Sequence, residues 1–218
     1  ICFHFILFIL VKEKPEKITF IHYKDGKVKP IDSNGKPAVN NCYKLLGVKW
    51  ATTPINYVIN PINSDGLNES FVTSAIYLGL EEWDAYTSRE LFNNVYAIDY
   101  SADCDDSVPD YTNEYSFGSY SQSNVIAVTN IWYIKRAKQI VDYDVLFNNY
   151  FVWGDATLNP AVMDLQNIAT HETGHGIGLA DLYNACAQET MYGYSTEGET
   201  SKRTLNAGAI IGLKRIYG

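Results

Sequence analysis

Histidine is scarce in this chain, with 4 in 218 residues, and methionine scarcer still, with 2. Any metal site built on imidazole must therefore draw on His171, His175 or the two distant N-terminal residues His4 and His22. Positive charge is also in deficit: 17 Lys and Arg face 25 Asp and Glu, for a net charge of −8. That speaks against nucleic acid as a partner, because phosphate binding needs basic patches. The densest basic run, Lys135-Arg136-Ala137-Lys138, is interrupted and reads as a solvated turn. No apolar run reaches the roughly 20 residues of a membrane-spanning helix. Internal repeats and low-complexity tracts are lacking too.

What is present divides into three stretches. Residues 1–16 open with the apolar run Ile1–Val11 and are expected to be a leader, a truncated signal peptide. No basic residue precedes that run and no small-x-small cleavage site follows it, so a buried strand is the other reading. Cell-surface tethering through a longer apolar segment stays open. Residues 17–45 are charged and rich in Gly and Pro (Asp25-Gly26, Lys29-Pro30, Asn34-Gly35, Lys36-Pro37), which reads as turns and a short strand, or as a pro-segment. Residues 46–218 make one domain of ordinary size, and a 46% hydrophobic content suffices for a core.

Within that domain, Val72, Ile76, Leu80 and Trp83 recur at helical spacing in an amphipathic helix over 70–87. Residues 57–60, 95–100, 125–134 and 139–147 read as strands. In the last, Val141, Tyr143, Val145 and Phe147 alternate with Asp142 and Asp144, as in a strand with one face in solvent. Most of the 17 tyrosines are expected in strands, ring buried and hydroxyl wet. Asn206 is placed to cap a final helix, with Leu205 and Ile210 as a hydrophobic staple.

The segment Met163–Thr170 reads as a helix with Asp164 as its N-cap, and it runs into His171-Glu172-Thr173-Gly174-His175-Gly176-Ile177-Gly178-Leu179-Ala180-Asp181. On a helix, His171 and His175 share a face one turn apart, so both imidazoles can reach one Zn²⁺. Glu172 then stands beside the metal as a base for a water. H-E-x-x-H strings also arise by chance, so the context matters. Gly178 suits a left-handed helix end, and a turn there returns Asp181 toward the histidines as third ligand.

The motif H-E-x-x-H-x-x-G-x-x-D resembles the metzincin zinc signature in its snapalysin-type form, with Asp181 where the third histidine usually stands. Met191, in Thr190-Met191-Tyr192-Gly193-Tyr194, is similar to the methionine turn that floors the metal in that clan. Trp50–Ile59, Ile140–Asn148 and Leu205–Gly218 resemble stretches of the matrixin branch and its microbial relatives. The resemblance runs from about Cys42 to the end. It implies an α+β, zincin-like catalytic domain: a mixed twisted sheet with an active-site helix and a C-terminal helix. It further implies a secreted or extracellular zinc endopeptidase, a monomer acting on protein or peptide substrates, with Glu172 as catalytic base. Tyr192 or Tyr194 could donate to the oxyanion or contact substrate, or simply pack, and 125–134 could bind substrate by strand addition.

The aspartate ligand should leave the bound water less acidic than a three-histidine site would. Histidines for the matrixin structural zinc are missing. Ca²⁺ would be the substitute, held by Asp103-Cys104-Asp105-Asp106 or the turn Trp153-Gly154-Asp155, although solvated acidic loops explain both. Leaving Cys2 aside, Cys42, Cys104 and Cys186 allow one disulfide and one free thiol in three pairings. The pairing favoured is Cys42–Cys186, tying the domain's entry to the loop before Met191. By analogy, a Cys42 thiolate could instead cap the zinc. A gluzincin-like ligand among Glu189, Glu197 and Glu199 is the lesser metalloprotease reading. From another class, the chain could be a non-catalytic secreted or cell-surface binding protein that keeps a structural zinc.

Overall fold

The computed structural model describes residues 13–24, 42–183 and 186–218. The leader's apolar run and the Gly/Pro turns of 25–37 lie outside the described residues. Seven strands form one mixed sheet. They are β1 (Glu16–Lys24), β2 (Val58–Ile59), β3 (Ala97–Ile98), β4 (Glu114–Gly118), β5 (Val125–Ile134), β6 (Gln139–Asn148) and β9 (Tyr194–Ser195), in the order β3-β2-β4-β6-β5-β1-β9. β5 runs antiparallel to both β6 and β1; the other pairings are parallel. The pair β7 (Trp153–Gly154) and β8 (Met163–Asp164) leads into α2 (Leu165–Gly176), which packs against α1 (Glu69–Asp84). A C-terminal helix, α3 (Ala207–Tyr217), closes the α+β architecture.

The sequence explains most of these elements. Asn68 caps α1 by accepting from the Phe71 amide, and Val72, Ile76, Leu80 and Trp83 are buried. Trp83 donates its indole N–H to the Thr170 carbonyl at 2.9 Å, and Gly79 lets the two helices close on Ala169 and Thr170. β5 and β6 form over the expected residues, joined by the exposed turn at 135–138. Tyr115 and Tyr143 depart from the wet-hydroxyl expectation: both are buried, and their hydroxyls bond to each other, with Tyr115 also reaching Thr173.

Three further features differ from expectation. Asp142 and Asp144 do not face solvent; both are fully buried, because the loop 103–112 folds over that face of β6 and gives them backbone amides. Asn206 stands at the N-cap of α3 but makes no side-chain cap bond. Glu189 does that instead, accepting from the Gly208 amide at 2.9 Å. Finally, residues 16–24 form a nine-residue strand inside the sheet. The line drawn between leader and following segment at 16/17 therefore falls at the start of a sheet strand.

Candidate metal centre

α2 positions the centre. Asp164 caps it by accepting from the Asn167 amide at 2.9 Å, and its carboxylate is itself gripped by Arg203. The helix stops at Gly176, and Gly178 takes φ +105°, the left-handed region that glycine tolerates. The chain then turns and returns Asp181 to the helix face. Asp181 Oδ1 lies 3.2 Å from His171 Nε2 and 3.4 Å from His175 Nε2. All three residues are buried, and the three atoms lack hydrogen-bond partners of good geometry.

The other ring nitrogens are committed. His171 Nδ1 sits 2.7 Å from the Thr190 carbonyl and His175 Nδ1 2.9 Å from the Leu179 carbonyl. A carbonyl can only accept, so both Nδ1 atoms carry a proton and the Nε2 atoms are the ones turned toward Asp181. Such carbonyl contacts orient imidazoles that bind metals through the opposite nitrogen. Two bare Nε2 atoms and a carboxylate oxygen converging in a buried site fit a Zn²⁺ donor set. Burial lowers the His171 pKa to about 4; at His175 burial also pulls down, but the Asp181 carboxylate outweighs it and the pKa is raised.

Met191 lies beneath α2, buried, with its sulfur against Gly174, where any side chain would collide with it. Thr190, the residue before it, supplies the carbonyl for His171, so the turn both floors the helix and aims the His171 ring. Cys186 is bonded to Cys42 through a disulfide spanning 144 residues, and Cys104 is free. With its sulfur in that bond, Cys42 has no thiolate to offer a metal. Tyr192 is buried with its ring edge-on to the half-buried Tyr194, whose ring in turn meets the exposed Tyr183. Tyr183, which sequence reading passed over, donates to Asp181 Oδ2 at 3.3 Å. Glu189, Glu197 and Glu199 are engaged elsewhere, with Gly208, Lys24 and Ser195 respectively.

Glu172 is fully buried beside the triad, and burial raises its pKa. Thr129 on β5 donates to its Oε2 at 2.6 Å, and His22 Nδ1 on β1 meets its Oε1 at 2.8 Å. His22 also lies over the His171 ring at 4.1 Å, while Phe20 stacks flat on His175 at 3.9 Å. Neither β1 residue was anticipated. The signal available was the alternation of Ile18, Phe20 and His22 ahead of a charged turn.

The acidic loops resolve differently from each other. Asp155 pairs with Arg203 at 2.6 Å. Asp105 instead backs onto the buried Asp142 and Asp144. Among the described residues, no helix is long and apolar enough to cross a membrane. Compared with known proteins, the chain matches no family model, and no curated protein is similar to it at a significant level.

Proposed function

We propose that this chain is a secreted zinc-dependent endopeptidase of the metzincin type, with His171, His175 and Asp181 as metal ligands and Glu172 as general base. The observation that carries the reading is the convergence of two Nε2 atoms, each fixed by a carbonyl at Nδ1, on one Asp181 oxygen beside a buried glutamate. Bound zinc would polarise the scissile carbonyl and make a nearby water more acidic. Glu172 takes a proton from that water as its oxygen bonds to the carbonyl carbon. The same proton then passes to the amide nitrogen, and the C–N bond breaks. High basicity in a buried Glu172 favours the first transfer. Tyr192, Tyr194 and Tyr183 contact one another edge to face beside Asp181, where a hydroxyl could support the oxyanion.

A second reading has one observation in its favour. Glu172 is held at both oxygens, by His22 and Thr129, as in a closed structural zinc site of a binding protein. Two measurements separate the readings. Purified protein should carry one zinc per chain, lost on Asp181→Ala and kept on Glu197→Ala; chelation should lower Tm by removing a ligand of the folded state. Against a broad peptide library, Glu172→Ala should keep zinc yet cleave nothing. Detectable cleavage that Glu172→Ala leaves undiminished would sink the hydrolytic reading.

A further inference from the structure

We propose that β1 is a resident peptide ligand of this centre, occupying the edge of β5 where an extended substrate would lie and keeping Glu172 engaged. Its consequence for catalysis rests on the hydrolytic reading; its occupancy rests on geometry alone. β1 pairs antiparallel with β5 from Glu16↔Tyr133 to Tyr23↔Val125, so it satisfies the sheet edge as an added strand does. Phe20 and His22, two residues apart, share one face and meet α2. Phe20 covers the His175 ring, and His22 covers His171 and takes up Glu172 Oε1. Thr129, opposite Phe20 in the ladder, takes up the other Glu172 oxygen. With β1 in place Glu172 is fully buried and bonded at both oxygens, so the strand stands between this carboxylate and any incoming water and peptide.

A strand serving only the core would place an apolar side chain at the position of His22. Instead it buries an imidazole whose Nε2 has no hydrogen-bond partner, a cost that a purely structural strand has no reason to carry. At its ends β1 is held by partly exposed ion pairs, Lys17–Asp106 and Lys24–Glu197, of the kind that contributes little. Cys42, the next described residue, is fixed to Cys186, so the domain keeps its anchor when β1 leaves.

The test uses a fluorescent peptide of the Glu16–Lys24 sequence, with the full chain, its Phe20→Ala/His22→Ala variant, and His22→Gln, which keeps a donor for Glu172. Zinc content and circular dichroism check folding in each. The peptide should bind the double variant at least tenfold more tightly than the wild type or His22→Gln. The double variant should cleave library peptides at least tenfold faster, and the added peptide should inhibit it. Equal peptide binding by all three proteins would overturn the proposal. Differential binding without cleavage by any of them would support β1 as occupant and defeat the hydrolytic reading instead.

A different observation independently carries a second site. Asp142 and Asp144 are fully buried, and the Oδ1 atom of each has no hydrogen-bond partner. Their other oxygens are anchored, Asp142 Oδ2 by the Tyr111 amide at 2.9 Å and Asp144 Oδ2 by the Asp105 amide at 3.2 Å. Asp105 is anchored likewise by the Asp110 amide at 2.7 Å, and the three carboxylates offer oxygens within 4.8 Å of one another. We infer that these three residues hold a divalent cation of the oxygen-preferring kind, Ca²⁺ first, locking the loop 103–112 to β6. EDTA-dialysed protein should gain several degrees in Tm on adding millimolar Ca²⁺, and Asp142→Asn/Asp144→Asn should gain none. A flat Tm for the wild type in Ca²⁺, Mg²⁺ and Mn²⁺, or an equal rise in the variant, would overturn it.

Discussion

At the residue scale, the centre depends on which atom of each side chain is already spoken for. His171 and His175 have their Nδ1 atoms on carbonyls, so their Nε2 atoms are left for a ligand, and Asp181 completes the set. His171→Ala should therefore abolish zinc binding, whereas Tyr183→Phe, which removes only a 3.3 Å bond to Asp181, should weaken it by about tenfold or less, the low end for outer-shell contacts; zinc competition against a chromophoric chelator distinguishes the two. The i, i+4 histidines and Asp181 were legible because helical periodicity and a glycine stop are local signals. His22, Phe20, Thr129 and Tyr183 were not. The first three reach the centre through pairing and contact between residues up to about 150 positions apart, which no local pattern encodes, and Tyr183 through a hydrogen bond to Asp181 that depends on the turn's geometry.

At the scale of elements, α2 is the rigid part. Gly174 has no room for a side chain between Met191 and Trp83, and Gly178 combines φ +105° with close approach to the Val48 carbonyl. Gly174→Ala should cost about 1–3 kcal/mol by overpacking, and Gly178→Ala about 1–3 kcal/mol by backbone strain. Both are read as a lower midpoint in denaturant unfolding, with zinc affinity reduced in step. The helix and the hairpin of β5 and β6 were plain in the sequence, since their apolar spacing and caps agree with their final burial. β4 was missed, as its Glu-Tyr-Ser-Phe-Gly run is short and its stability comes from parallel pairing with β6. The alternation in β6 was read with the right period and the wrong environment: a strand's polar face is dry when a loop folds over it, and the aspartates of 103–110 were the only hint.

At the scale of the whole molecule, buried acids and the disulfide set the response to conditions. Burial raises Asp142 to about 7, Asp144 to about 10 and Glu114 to about 7, with neighbouring carboxylates adding to the shift. A folded pKa above the unfolded one means the folded state binds more protons across that range, so stability falls as pH rises from about 4 toward 10. Burial lowers His22 to about 3 and His171 to about 4, which pulls the other way below about pH 6.5. Cation-free protein should thus lose Tm between about pH 7 and 9, and saturating Ca²⁺ should flatten that slope, both readable by calorimetry. Cys186→Ser should lower stability by about 2–4 kcal/mol through the long loop that the bridge closes. On the proposed reading the buried His171–His175–Asp181 group is a peptide-hydrolysing zinc centre with Glu172 as its base. Its most direct test is peptide turnover per bound zinc in the Phe20→Ala/His22→Ala chain, with and without Glu172→Ala. One zinc per chain in both, with turnover falling by about 10²–10⁴-fold in the Glu172 variant, is the predicted result; no zinc, or the same turnover in both, would contradict it.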